Sequence, residues 1–177
     1  LYSLLYLTGY DDFTLDEIRN FRQLGAKTAG HPENFLSDAI ETTTGPLGQG
    51  LANSVGFAMA EEIQRANFGK NIVDHYTYVF AGDGCLMEGI SQEAITLAGR
   101  QKLSKLIVFW DNNNITIDGK VELSDNTNQV ERFRSSGWHV LEIDGHNPVE
   151  INEAIIEAKK NSKPTMIACE THIALGS

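Results

Sequence analysis

The run Tyr76 to Ala81 reads as a buried strand and stops abruptly at Gly82-Asp83-Gly84. A helical pattern follows from about Glu88 to Gly99, and then a second apolar strand, Leu106 to Trp110. Strand, helix and strand at this spacing call for a crossover connection and parallel pairing, not a hairpin. The remainder of the chain repeats the alternation. Leu47 to Ala66 is a predicted helix, with Leu51, Val55, Ala58, Met59, Ile63 and Ala66 on one face and Pro46 suited to its first turn. Asn126 to Arg134 is a further helix, Trp138 to Ile143 a strand, and Ile151, Ala154, Ile155 and Ala158 mark the apolar stripe of another helix. Thr165 to Glu170 closes the series as a strand. The expected fold class is α/β, a parallel sheet with helices on both faces. Right-handed crossovers put the carboxyl ends of all its strands on one edge, where such sheets bind their ligands.

The length of 177 residues suits a single domain spanning 1–177. The opening Leu1-Tyr2-Ser3-Leu4-Leu5 reads as a helix joined part-way, and Ala174 to Ser177 follow directly on a strand, so the sequence reads as part of a longer chain. A net charge of −10 leaves no basic footprint for nucleic acid, and no apolar run is long enough to span a membrane. Small anionic ligands remain compatible with that charge, because a metal ion or backbone amides can hold them. Cys85 and Cys169 form no C-x-x-C pair, which favours a reduced, cytoplasmic setting.

The chemistry concentrates at two strand ends. Gly82-Asp83-Gly84 follows one strand and Asp111-Asn112-Asn113 the next, so parallel pairing brings Asp83 and Asn113 to neighbouring points on one edge. One carboxylate, one amide oxygen and free carbonyls make a half-filled, hard-oxygen site for Mg²⁺ or Ca²⁺, of the kind that phosphate oxygens complete. Gly82 and Gly84 allow close approach of a diphosphate. Gly-Asp-Gly alone would be an ordinary turn; the paired Asn-Asn about thirty residues later makes the combination the fingerprint of thiamine diphosphate enzymes.

Four blocks narrow the reading: Gly30-His31-Pro32-Glu33, Thr42-Thr43-Thr44-Gly45-Pro46-Leu47-Gly48-Gln49-Gly50, the stretch Gly82 to Ser91, and Ile115-Thr116-Ile117-Asp118-Gly119. In order and spacing they resemble the transketolase family, over essentially the whole chain. The resemblance implies the diphosphate-binding (PP) domain of the thiamine diphosphate-binding fold, with thiamine diphosphate and Mg²⁺ or Ca²⁺ as cofactors. It implies transfer of a two-carbon ketol unit from ketose phosphates to aldose phosphates in the pentose phosphate pathway, by a homodimer. Asp83, Asn113 and the carbonyl of Ile115 would hold the metal, and the amide of Gly84 would touch the diphosphate. Gly45 and Leu47 would lie against the cofactor, Ile117 would wall its ring system, and His31 would reach the substrate. Glu88 would be among the cofactor-binding residues, and Glu88 and Glu93 would sit near the subunit contact that couples the two active sites.

The residue-level alternatives are plainer. A His before Pro can be a surface residue, Glu93 can favour a helix N-terminus, Cys85 can be a small buried hydrophobe, and Trp110 is expected to be packing. His75, His139, His146 and His172 have no assigned partners. Asn112 stands where the family often has Asp. The glutamate that activates the aminopyrimidine belongs to a pyrimidine-binding domain, of the same or another subunit, that is absent from this stretch. Two other readings use the same residues: a non-catalytic cofactor-binding module or split subunit, and a dihydroxyacetone synthase taking formaldehyde as acceptor.

Overall fold

The computed structural model describes residues 1–176. Two short helices, α1 (Tyr2–Leu7) and α2 (Leu15–Arg19), open the chain. Thr14 caps α2 by accepting the Glu17 N–H at 3.2 Å. Leu5, Phe13 and Ile40 form a small core of their own here, with Tyr2 stacked on Phe13 at 5.3 Å. Then come α3 (Gln49–Phe68), β1 (Thr77–Gly82), α4 (Asp83–Met87), α5 (Gly89–Gln101) and β2 (Leu106–Asn112). A small hairpin, β3 (Ile115–Thr116) and β4 (Gly119–Lys120), precedes α6 (Gln129–Ser135), β5 (His139–Asp144), α7 (Pro148–Ala158) and β6 (Thr165–Glu170).

The four long strands make one parallel sheet in the order β1-β2-β6-β5. Side chains alternate across it, as strand geometry requires. Leu106, Val108 and Trp110 of β2, with Met166 and Ala168 of β6, face a core shared with Leu51 and Val55 of α3, Ile95 and Ala98 of α5 and Phe133 of α6. Ile107, Phe109, Ile167 and Cys169 face the other way, onto Ala154 and Ala158 of α7. Helices therefore cover both faces, as expected, but unequally. Burial pushes the Cys169 thiol up to about 11, so this cysteine is inert packing.

The unequal cover corrects two expectations. The run ending at Ala81 is not a fully buried strand: β1 lies at the edge of the sheet, and its Tyr78 and Phe80 are 45% and 67% exposed. Their rings stack with Phe109, at 6.4 and 5.2 Å, in place of a covering helix. In α3 the predicted stripe holds for Leu51, Val55 and Ala58, but Ile63 is 59% exposed. The buried side of α3 runs on instead through Glu61, whose carboxylate meets Lys105 Nζ at 2.7 Å and Arg65 Nε at 3.2 Å. A fully buried carboxylate needs that pairing, so the stripe turns from apolar to ionic.

Pro46 is not in the first turn of α3 either. The helix starts at Gln49 because Gly48 takes a left-handed conformation (φ 81°), which turns the preceding loop away from the helix axis. Gly82-Asp83-Gly84 is likewise more than a turn. Gly82 ends β1 and serves as N-cap, so Asp83 and Gly84 form the first turn of α4.

Gly99 lies where α5 meets the turn before β5. A Cβ there would overlap the carbonyl oxygen of Ser136 and come within 3.2 Å of Trp138. Trp138 also donates its indole N–H to the Ile95 carbonyl at 2.9 Å, so this contact is held from both sides. Gly99→Ala is expected to destabilise the fold by about 3 kcal/mol, the upper end for overpacking, because backbone must move. Gly56→Ala, where a Cβ meets nothing within 4 Å, should be neutral or slightly stabilising. Urea denaturation of both variants checks the contrast; equal midpoints would refute it.

Candidate functional site

The site forms at the carboxyl edge of β1 and β2. Gly82 pairs in register with Asp111, so Asp83 and Asn113 emerge from adjacent strands as the motif spacing predicts. Asp83 is 6% exposed. Its Oδ1 accepts the indole N–H of Trp110 at 3.2 Å, whereas its Oδ2 is buried with no hydrogen-bond partner. Burial pushes the Asp83 carboxyl above its ordinary range, the Trp110 N–H offsets part of that, and the Asp111 charge adds to it. A buried carboxylate with one oxygen unsatisfied is costly as it stands, and a bound cation relieves the cost.

Asn113 is locked by its neighbours. Its Oδ1 accepts the Ile115 N–H at 2.9 Å, and its Nδ2 donates to Asp111 Oδ2 at 3.0 Å. The other oxygen of Asp111 accepts the hydroxyl of Thr171, the residue after β6, and the Thr171 N–H donates to the Asn112 carbonyl at 3.2 Å. The amide therefore has a defined orientation, with its oxygen directed toward the start of the β3–β4 hairpin. Ile117 is at the tip of that hairpin, fully exposed and with a left-handed backbone (φ 35°). A β-branched residue in that region is a strained position.

A second group of expected residues assembles along the loop before α3. Gly45 has φ 147°, and a Cβ on it would sit inside the imidazole of His31, so these two residues are in direct contact. The loop is tied to the His31 segment by the Thr44 N–H on the Pro32 carbonyl (3.1 Å) and the Asn34 N–H on Thr43 Oγ1 (3.1 Å). Leu47 Cδ1 lies 3.0 Å from where a Cβ on Gly84 would be, and a Cβ on Gly48 would meet the Glu88 Cβ at 2.7 Å. One loop thus links His31, through Gly45 and Leu47, to Gly84 and Glu88. Glu88 and Glu93 themselves are exposed, at the joint of α4 and α5 and in the first turns of α5.

Among the described residues, no three His, Cys, Asp or Glu side chains gather as a metal cage. Asp83 and Asn113 suit a cation whose remaining ligands come from a phosphorylated cofactor and water. The orphaned Oδ2 and the glycine-lined approach at Gly84 fit such a group.

Three residues with a part here escaped the sequence reading. Trp110, expected to be packing, donates to Asp83; the available signal was a buried indole, which needs an acceptor. Asp111 and Thr171 were unassigned. Three of the remaining histidines are also not alone. His172 N–H donates to His146 Nε2 at 2.8 Å with the rings nearly parallel, and His139 Nε2 lies 3.1 Å from Glu157.

The family model of the transketolase thiamine diphosphate-binding domain matches residues 1–177. The chain is 59% identical over 177 residues to a transketolase of Rhodobacter capsulatus and 56% identical to one of Cereibacter sphaeroides. Each match covers all of this chain but 26% and 27% of the relative. A crystal structure of transketolase from Campylobacter jejuni superposes with a TM-score of 0.93 at 50% identity, over 99% of this chain and 27% of that one. A Pichia stipitis transketolase variant solved with fructose 6-phosphate gives 0.94 at 49% identity, with the same coverage. The chain therefore spans about a quarter of the length of these relatives. No helix among the described residues is long and apolar enough to cross a membrane.

Proposed function

The chain belongs to the transketolase family, and we propose that it holds the diphosphate end of thiamine diphosphate and its divalent cation in an enzyme that transfers two-carbon ketol units between sugar phosphates. The observation that carries this reading is the buried, partnerless Oδ2 of Asp83 beside the locked amide of Asn113. Asp83, Asn113 and the Ile115 carbonyl would bind Mg²⁺ or Ca²⁺, and the Gly84 amide would meet the diphosphate. Gly45 and Leu47 would bear on the cofactor, with Ile117 beside its rings once a facing domain closes over the hairpin. When bound, the cofactor supplies the carbanion stabilisation that the carbon–carbon bond changes need. The chain's own residues position, exclude water and recognise substrate.

His31 is the group proposed to act on the sugar. Its ring rests on the backbone of Gly45, so the loop that would bear on the cofactor also fixes where the imidazole stands. The full enzyme is proposed to be a cytoplasmic homodimer in which Glu88 and Glu93 lie near the subunit contact and a pyrimidine-binding domain supplies the activating glutamate. The Pichia stipitis complexes with fructose 6-phosphate and sedoheptulose 7-phosphate support ketose phosphate donors. An assay of the full-length protein, with a ketose phosphate donor and a panel of aldose phosphates and formaldehyde, tests the reading. Turnover with formaldehyde alone would replace it by a dihydroxyacetone synthase.

His31→Ala in that protein is expected to lower donor kcat/KM by about a hundredfold through lost positioning, with cofactor affinity near wild type. Steady-state kinetics and calorimetry together check this. Normal kinetics with poor cofactor binding would reverse the assignment.

A further inference from the structure

We propose that Trp110 is a positioning residue that sets the cation preference of the site, by occupying one oxygen of Asp83 so that only the other is free for metal. The inference rests on Asp83 being a metal ligand. Its own ground is the hydrogen-bond geometry of two buried side chains.

Trp110 is the last buried residue of β2 and is 7% exposed. Its ring belongs to the core on the α3–α5 face, so the core fixes the direction of its single N–H. That N–H reaches Asp83 Oδ1 at 3.2 Å, and both groups are shielded from water. Oδ2, buried on the same carboxylate, has no partner. An indole can donate but cannot accept, so it cannot exchange roles or release Oδ1 by rotating a proton away. The carboxylate is therefore presented with one oxygen committed and one open.

Denticity separates the two candidate cations. Ca²⁺ accepts six to eight oxygens and readily takes both oxygens of a carboxylate, whereas Mg²⁺ requires near-octahedral geometry with short single contacts. A carboxylate held at Oδ1 offers the single contact. With the N–H removed, Oδ1 becomes free to join Oδ2, which favours Ca²⁺ and gives Mg²⁺ nothing.

The test is calorimetric titration of the full-length, metal-free protein with MgCl₂ and with CaCl₂ at fixed thiamine diphosphate. Three proteins are compared with wild type: Trp110→Phe, Asp83→Asn, and a protein carrying benzothienylalanine at position 110. Benzothienylalanine keeps the shape of the indole but has sulfur in place of the N–H, so it carries the test if Trp110→Phe fails to fold. The expected result is a shift of the Ca²⁺-to-Mg²⁺ affinity ratio toward Ca²⁺ by about tenfold in both Trp110 replacements, the size of one hydrogen bond to a charged group. Equal weakening of both cations, or an unchanged ratio, would overturn the proposal and leave Trp110 as packing. Asp83→Asn separates the two levels: if it keeps wild-type metal affinity, the ligand assignment itself has failed. If it loses affinity while the Trp110 replacements keep the ratio, only this inference has failed.

Discussion

Asp83→Ala in the full-length protein is expected to lower the affinity for thiamine diphosphate with Mg²⁺ by more than about a hundredfold, since loss of even a supporting partner of a metal ligand costs up to that much. The geometry leaves no substitute. Among the described residues Asp83 is the one buried carboxylate at this edge, and Asp111 spends both its oxygens on Asn113 and Thr171. Calorimetry with added Mg²⁺ is the measurement, and unchanged affinity would remove Asp83 from the site. The same carboxylate carries a stability consequence of opposite sign. Its folded-state pKa is raised by burial above the unfolded value. Its contribution to stability is therefore fully present below the unfolded pKa and lost as pH rises through the folded one. Metal-free Asp83→Asn should melt above the metal-free wild type at neutral pH, with the gap closing as the solution is acidified. Saturating Mg²⁺ and cofactor should reverse the order, because only the wild type then gains binding energy. Scanning calorimetry with and without metal would show whether the site is held at a cost to the empty fold.

How much of this was legible in the sequence depends on which physical effect decided each residue. The β2 and β6 runs are buried on both faces, β2 from Leu106 to Trp110 and β6 from Thr165 to Cys169, so the apolar stretches within them identify both strands directly. Tyr76 to Ala81 has the same appearance but lies at an edge, because aromatic residues that stack on one another look no different from residues under a helix. Asp83 and Asn113 could be brought together from spacing alone, since parallel register is set by the strands. The contact of His31 with Gly45 could not. It depends on a loop whose course is set by left-handed Gly48, by the Thr43 hydroxyl that accepts the Asn34 N–H and by the backbone bond from Thr44 to Pro32, which carry no periodic signal. Trp110 was legible only in principle: a strand-end tryptophan reads as packing until the acceptor of its N–H is known. Ile117 shows the converse limit: the wall beside the cofactor rings comes from the family resemblance, and nothing in the local sequence pattern announces a fully exposed hairpin tip.

The 177-residue stretch expressed alone is expected to show no ketol transfer, even with saturating Mg²⁺ and thiamine diphosphate. What it offers is one half of a site. Asp83, Gly84, Asn113 and Ile115, the residues proposed for the diphosphate end, gather at the carboxyl edge of β1 and β2, while Glu88 and Glu93 stand exposed at the start of α5. Activation of the aminopyrimidine is the task that the family resemblance gives to a second domain, so neither is proposed for it. Three apolar side chains near the site edge and on the open sheet face point the same way. Leu47 is 51% exposed, Phe80 is 67% exposed and Ile117 is wholly exposed. Apolar surface of this kind is costly in water and is normally covered by a partner. The stretch alone should therefore also self-associate, with Phe80→Ser reducing the association if the β1 face carries it. Sedimentation measures the second expectation. The first is measured by following product formation with the stretch alone and again after adding a separately expressed pyrimidine-binding domain. Turnover by the stretch alone would show that the activating carboxylate is already within it, while turnover only on mixing would mean that catalysis is assembled across the domain contact.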